Sequence, residues 1–315
     1  MPQIEVRPFQ RRDREQVTAL VNAHVEAVVP GVAVSVNAVL SQLEREPGET
    51  IVDPWAIDRA TYVAIVRDAV AGAAHVIRYG ADARVSDSYR DAAEIRWLVF
   101  APGDEAAADA LAARCVATME EEWGVARAYA DGSLPAPGVY GVPDVWPHVA
   151  AALERAGFAP GDRVEAVLVA DVADLPRGGP APVEGLRMQR ALGRHATRFS
   201  ALLGDRVAGI FEVQGDLTGG GALSRLAGWA DVWELHVDED LRRCGIGTWL
   251  VGHGADWLRL ARSDRLLDYV ILGEGDAHLA FATALGFREL TRTRRGWERQ
   301  PSAFRAARAA TSTGS

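Results

Sequence analysis

Sulfur is scarce in this chain, whose 315 residues hold three methionines and two cysteines, Cys115 and Cys244, one in each half. Two cysteines so far apart exclude a zinc site built from cysteine pairs and suit a reducing compartment. Long apolar runs are lacking too, and none approaches the ~20 residues of a membrane span. The N-terminus carries Glu5, Arg7, Arg11 and Arg12 with no apolar signal core after them. Positive charge is outnumbered, 34 Lys and Arg against 43 Asp and Glu, for a net charge of −9. That balance disfavours nonspecific nucleic-acid binding and favours a cationic small substrate, while a local basic patch can still hold a small anion. The expectation is a soluble, cytoplasmic protein, monomer or homodimer, without metal, nucleic-acid or membrane partners.

What is present is enough apolar material for a sizeable core, 49% of residues, in a length that suits two domains of roughly 150 residues. The halves repeat each other. Asp68-Ala69-Val70-Ala71-Gly72 matches Asp205-Arg206-Val207-Ala208-Gly209 at four of five positions, with an offset of 137. Trp97-Leu98-Val99 faces Leu235-His236-Val237 at 138, and Ala156-Gly157-Phe158 faces Leu285-Gly286-Phe287 at 129. Each half alternates apolar strands with amphipathic helices, as a mixed α/β layer does. The expected domains are 1–170 and 186–299, with the Pro- and Gly-rich stretch 171–185 as a linker and 300–315 as a mobile tail.

The most informative segment runs from Leu235 through Val237, Arg242, Arg243, Cys244, Gly245, Ile246 and Gly247 to Thr248 and Leu250. Trp233, Leu235 and Val237 alternate as a half-buried strand, while Ile246, Leu250, Val251, Trp257 and Leu258 recur at helical spacing. Between them lies a basic glycine turn. Gly245 and Gly247 let the backbone expose its N–H groups, and the helix start adds unpaired donors and the positive end of a dipole. This is a phosphate cradle. It lacks the third glycine of the dinucleotide fingerprint and the Gly-Lys-Ser/Thr ending of the P-loop.

With Arg242 followed by Gly245 and Gly247, the segment resembles the acyl-CoA-binding motif of the GNAT superfamily of N-acetyltransferases. The resemblance implies a mixed α/β sheet in two tandem GNAT-like acyl-CoA N-acyltransferase domains, of which the N-terminal copy is degenerate. It implies acetyl-CoA as co-substrate, its pyrophosphate held by residues 242–248 and its pantetheine arm by the backbone of Leu235 and Val237. In the first half the matching turn carries Asp104, Glu105 and Asp109, which complement a helix dipole but repel a pyrophosphate. The second half also lacks roughly 45 residues of the first, since 17 positions separate Met188 from Asp205 and 62 separate Val6 from Asp68. In the family that interval holds two helices that wall the acceptor pocket; Val17, Leu20, Val21 and His24, then Val36, Val39, Leu40 and Leu43, mark them in the first half.

Acetyl transfer to an amine needs a base, a polarised carbonyl and a proton for the departing thiolate. Glu234 is the expected general base, as the family uses a glutamate in this strand, and His236 is the runner-up. A tyrosine often stands four residues before the closing Gly-Phe in the family, but here Ala282 precedes Gly286-Phe287. Water, His278 or Tyr269 remain as acids. The expected function is N-acetylation of a small-molecule or peptide primary amine in a ternary complex; the alternatives are a non-catalytic acyl-CoA sensor and a mycothiol-synthase-like acetyltransferase.

Overall fold

The computed structural model describes residues 3–44, 55–194, 196–215, 217 and 226–299. The chain forms two compact units: residues 1–164 with 293–315 make unit 1, and residues 165–292 make unit 2.

Unit 1 begins with β1 (Ile4–Pro8), α1 (Arg14–Val28) and α2 (Val36–Leu43), then β2 (Ala56–Val66), β3 (Ala69–Tyr79) and β4 (Ala92–Phe100). After these come α3 (Glu105–Ala117), β5 (Arg127–Ala130), the short β6 (Val142–Pro143) and α4 (Pro147–Arg155). The two helices expected after the first strand are present. α1 buries Val17, Val21, Val25 and Val28 at helical spacing. Ser35 caps α2 by accepting from Ala38 N–H at 3.1 Å, and Val39 and Leu43 face inward.

Unit 2 is built from β7 (Val164–Asp171), β8 (Leu186–Leu192), β9 (Thr197–Leu203), β10 (Arg206–Gln214) and β11 (Trp229–Val237), followed by α5 (Ile246–Leu260), β12 (Arg265–Ile271), α6 (Asp276–Ala284) and β13 (Arg288–Arg294). Its strand order is β13-β7-β12-β11-β10-β9-β8. β8 and β9 are joined by a short turn with no room for helices, as the 17-position interval requires. α5 buries Ile246, Leu250, Val251, Ala255 and Leu258 against Phe199, Phe211 and Val232. Gly254 makes this contact possible, because a Cβ there would lie 2.3 Å from the Phe211 ring.

The terminal strands are exchanged relative to chain order. β7 follows α4 in sequence yet sits in unit 2, where Leu168 lies opposite Asp268 of β12. The last strand, β14 (Trp297–Arg299), returns to unit 1 and sets Trp297 opposite Ala130 of β5. The boundaries therefore differ from those read in the sequence: 165–170 belongs to unit 2 and 293–299 to unit 1, because a strand's partner across the sheet, and not its neighbour in the chain, decides its unit. The expected linker is also packed rather than free. Arg259 of α5 donates to the carbonyls of Val172 and Leu175, both at 2.6 Å. Asp256 accepts from Gly178 N–H at 2.9 Å, and the Trp249 indole donates to the Gly179 carbonyl at 2.9 Å. The expected tail, 300–315, lies outside the described residues.

A fragment starting at Val183 lacks β7 and this strap. Val167, Leu168 and Val169 are each buried to within 2%, and full burial of such side chains contributes roughly 1.5–3 kcal/mol apiece against a domain stability of about 5–15 kcal/mol. Residues 183–292 alone are expected to show no cooperative thermal transition by circular dichroism, whereas 165–292 shows one. Equal cooperative melts would refute the exchange of strands.

Candidate active site

β10 and β11 pair in register until one residue is skipped. Glu212 faces Glu234, Val213 faces Val232, and Trp233 is left as a bulge. The bulge moves Trp233 off the face of Leu235 and Val237, contrary to simple alternation, and leaves it 49% exposed. It also bends β11 away from its parallel neighbour. β11 and β12 pair only over Trp229–Asp231 and Arg265–Leu267, although the strands continue to Val237 and Ile271. Beyond Asp231 the sheet is a fork.

Asp238 N–H donates to the Ala208 carbonyl at 3.0 Å, and in an antiparallel ladder bonded pairs alternate with unbonded ones. With Phe211 opposite Leu235 and Gly209 opposite Val237, the backbone groups of Leu235 and Val237 turn away from β10 and into the fork. One is already in use: Arg242 Nε donates to the Val237 carbonyl at 3.1 Å.

The cradle lies just past the fork. Gly245 is the residue before α5 at φ +82°, and no side chain caps the helix. The N–H groups of Ile246, Gly247 and Thr248 thus open the helix without acceptors inside it. Ile246 is buried and offers only its backbone, Thr248 and Cys244 are exposed, and the Cys244 thiol rests 3.6 Å from the Arg242 carbonyl. Arg243 holds a left-handed φ of 61° with an exposed side chain. Arg206 fixes the approach to the turn, bonding Asp238 at 2.8 Å and Asp240 at 2.6 and 2.9 Å. A Cβ at Gly247 would lie 3.2 Å from Phe281, so the first turn of α5 sits tightly against α6.

Residues 178–287 match the Acetyltransferase (GNAT) family. Unit 2 is a GNAT-family domain. No curated protein matches the chain by sequence. In fold, the chain is similar to a tandem GNAT protein from the clavulanic acid biosynthesis pathway, with TM-score 0.61 and 15% identity over 95% of this chain and 99% of the other. It is similar to a GCN5-related N-acetyltransferase from Sphaerobacter thermophilus, with TM-score 0.61 and 13% identity over 94% and 95%. It also resembles the glucosamine N-acetyltransferase region of a fungal multi-domain β-N-acetylglucosaminidase, with TM-score 0.64 and 15% identity, spanning 94% of this chain but 38% of that one. The architecture is two tandem GNAT folds, and the family supports an acyltransferase of the N-acetyltransferase type.

Unit 1 has the same fork and has shut it. Arg96 is the skipped residue, between His75 opposite Trp97 and Val76 opposite Ile95. Gly72 opposite Phe100 and Gly209 opposite Val237 align the two units at 137, one residue from the 138 read for this strand. The chain after β5 keeps bonding β4: Asp131 N–H reaches the Ile95 carbonyl at 3.2 Å and Ser133 N–H the Arg96 carbonyl at 2.7 Å. At the start of α3 the Glu105 carboxylate accepts from Gly103 N–H at 3.0 Å, and such backbone bonds hold its pKa below the usual value. The expected degenerate copy is a unit whose fork and helix start are filled by its own groups.

Of the expected catalytic residues, Glu234 is exposed and receives Arg198 at 3.3 Å, while Arg198 also binds the buried Glu212 at 2.7 Å. His236 is exposed, 3.5 Å from Asp238. The structure adds a group that periodicity passed over. Asp231 stands at the root of the fork, in unit 1 the place of Glu94, with Oδ1 buried and without a hydrogen-bond partner and Oδ2 accepting from the Tyr269 hydroxyl at 3.3 Å. Burial pushes its carboxyl up to about 7; the Tyr269 bond opposes this and the Asp268 charge adds to it. Its signal in the sequence was an acid between Ala230 and Val232, 137 positions after Glu94.

The raised value fixes a sign. The protonated form is favoured by folding, so this contribution to stability is complete below about pH 4 and is lost as pH rises through 7. A shift from 3.8 to about 7 corresponds to about 4 kcal/mol at most. Asp231→Asn is expected to melt roughly 5–10 °C above the parent at pH 8, with the gap closing toward pH 5. A gap independent of pH would show that folding does not favour the protonated Asp231 carboxyl.

Proposed function

We propose that unit 2 binds acetyl-CoA and transfers its acetyl group to a primary amine by direct attack within a ternary complex. One arrangement carries this reading: an open fork with free backbone groups leads from an uncapped, arginine-flanked helix start to a buried carboxyl that titrates near neutrality. The N–H groups of Ile246, Gly247 and Thr248, with Arg242 and Arg243, suit a pyrophosphate. Leu235 offers a donor and an acceptor and Val237 a donor to the amide groups of a pantetheine arm, which replaces the missing strand pairing. That arm directs the thioester to the root of the fork, beside Asp231.

There an amine that has released the proton of its ammonium form to water attacks the acetyl carbon, the C–S bond breaks with its electron pair going to sulfur, and the remaining nitrogen proton passes to Asp231. A base is most effective when its pKa lies near the working pH, which favours Asp231 over the exposed, arginine-paired Glu234. Asp231, Glu234 and Trp233 at the fork favour an acceptor that arrives as a cation. The chain offers no lysine, all 34 of its basic side chains being arginine, so no lysine of its own competes for the acetyl group.

Calorimetry is expected to find one acetyl-CoA per chain, with binding abolished by Gly245→Asp combined with Gly247→Asp, since carboxylates in the turn repel pyrophosphate and position 245 also needs a positive φ. Two sites per chain would contradict the closed fork of unit 1.

In an amine-library screen, Asp231→Asn is expected to lower turnover at pH 7 by about 10²–10⁴ with little change in acetyl-CoA affinity, and parent kcat/KM rises through about pH 7. Glu234→Gln is expected to cost less than about tenfold. The reverse ranking makes Glu234 the base, and binding without turnover on any amine makes unit 2 an acyl-CoA sensor.

A further inference from the structure

The fork has a second acid on its other face. Successive residues of a strand point to opposite sides, so Tyr269 reaches Asp231 on one face of β12 and Asp268 lies on the other. Asp268 is 4% exposed. It lines a cavity of about 10 Å³ together with Val232 and Leu235 of β11, Val251 of α5, and Phe281 and Ala282 of α6, room for about one water molecule. Every other side chain around that cavity is apolar, so Asp268 is its one titratable group. Behind it stands His278, on the first turn of α6, with Nε2 2.7 Å from Asp268 Oδ2. Asp268 Oδ1 accepts from Tyr269 N–H at 2.9 Å.

The proton inventory around His278 is simple. β12 presents Asp268; β11 presents Asp231, whose nearer partner is Tyr269 across the strand. On α6 itself Asp276 is turned back to Gly273 N–H at 3.0 Å, and α5 contributes apolar side chains to the shared core. The bond to Asp268 raises the His278 pKa above its usual value against the opposing effect of burial. The contact thus favours the protonated imidazole, at the wall of a small cavity whose other side chains are apolar, on the side of the fork away from Asp231.

We propose that the Asp268–His278 pair supplies the proton taken by the departing CoA sulfur, Asp268 being the group at the cavity wall and His278 the positioning residue that holds the proton behind it. This rests on the reading of the fork as an acetyl-CoA site. As the C–S bond breaks, the His278 imidazolium passes its proton to Asp268, which delivers it to the electron pair on sulfur and is left ionised beside neutral His278. The amine proton goes to Asp231 in the same turnover. The enzyme is left with neutral His278 and protonated Asp231, and exchange with water restores both. Base and acid stand on opposite faces of one strand pair, so neither proton meets the wrong partner.

The test uses the full chain and CoA itself, whose thiolate absorbs in the ultraviolet. Bound CoA is expected to ionise at lower pH in the parent than in His278→Gln, by roughly one pH unit. With an accepted amine, His278→Gln is expected to lower kcat about 10–100-fold with unchanged KM for acetyl-CoA, and to remove the alkaline limb of the parent's pH profile. His278→Lys, which keeps a cation against Asp268, is expected to move that limb to higher pH, an effect that a merely structural role would not produce. Unchanged thiol ionisation and an unmoved limb in both variants, in an enzyme that binds CoA and acetylates the amine, overturn the inference alone. Failure of the parent to bind CoA overturns the acetyl-CoA reading first and the inference with it.

Discussion

A single extra residue in β11 shapes the open fork of unit 2. Skipping Trp233 costs the ladder one step of pairing and twists the strand away from β12. Two backbone positions, Leu235 and Val237, then face a gap instead of a partner. Backbone N–H and C=O groups are seldom left without partners once buried, which is what supports the proposal that the open fork takes a polar, extended ligand. The cradle, the cavity and both acids of unit 2 take their positions from where that gap opens.

The two units show how much of this is backbone and how much is side chain. Both carry the bulge, both carry an acid at the root of the fork, and both start a helix just beyond it. In unit 1 the root acid, Glu94, accepts from the Tyr79 hydroxyl at 2.5 Å and from Arg96 at 3.2 Å, and burial pushes its pKa up. Nearby, Asp131 binds Arg295 and Ser133. Both carboxylates, Glu94 and Asp131, have partners within the unit. In unit 2 the corresponding acid keeps a buried oxygen without a partner, and its helix start has no carboxylate to fill it. A polar network that is satisfied from within stabilises a fold, whereas one left incomplete at a gap is suited to a ligand.

The glycine turn and the helix start after it were legible in the sequence because their physics is local: two glycines, two arginines and a helical pattern lie within a dozen residues. The duplication and the absence of helices between β8 and β9 were legible for the same reason, as spacings along one chain. The root acid was not, since Asp231 gains its meaning from a bulge two residues away, from Tyr269 on another strand and from burial, none of which is periodic. Trp233 was read onto the core face because alternation assumes an unbroken ladder. The exchanged strands escaped as well: β7 and β14 have ordinary strand composition, and nothing local says which sheet each completes. His278 was visible as a candidate, but only Asp268 beside it distinguishes it from any other helical histidine.

The exchange has a consequence for the order of events during synthesis. β5 of unit 1 is made early, yet the strand that pairs with its outer edge, residues 297–299, is among the last of the described residues to be made. Until then β5 offers an unpaired strand edge, the kind of surface that draws nonspecific pairing in nascent chains. β7 meanwhile waits, with its apolar residues exposed, for β12 to appear about a hundred residues later. Unit 2 is contiguous and its sheet can close as soon as residue 292 is made, whereas unit 1, although begun first, gains its last strand after it.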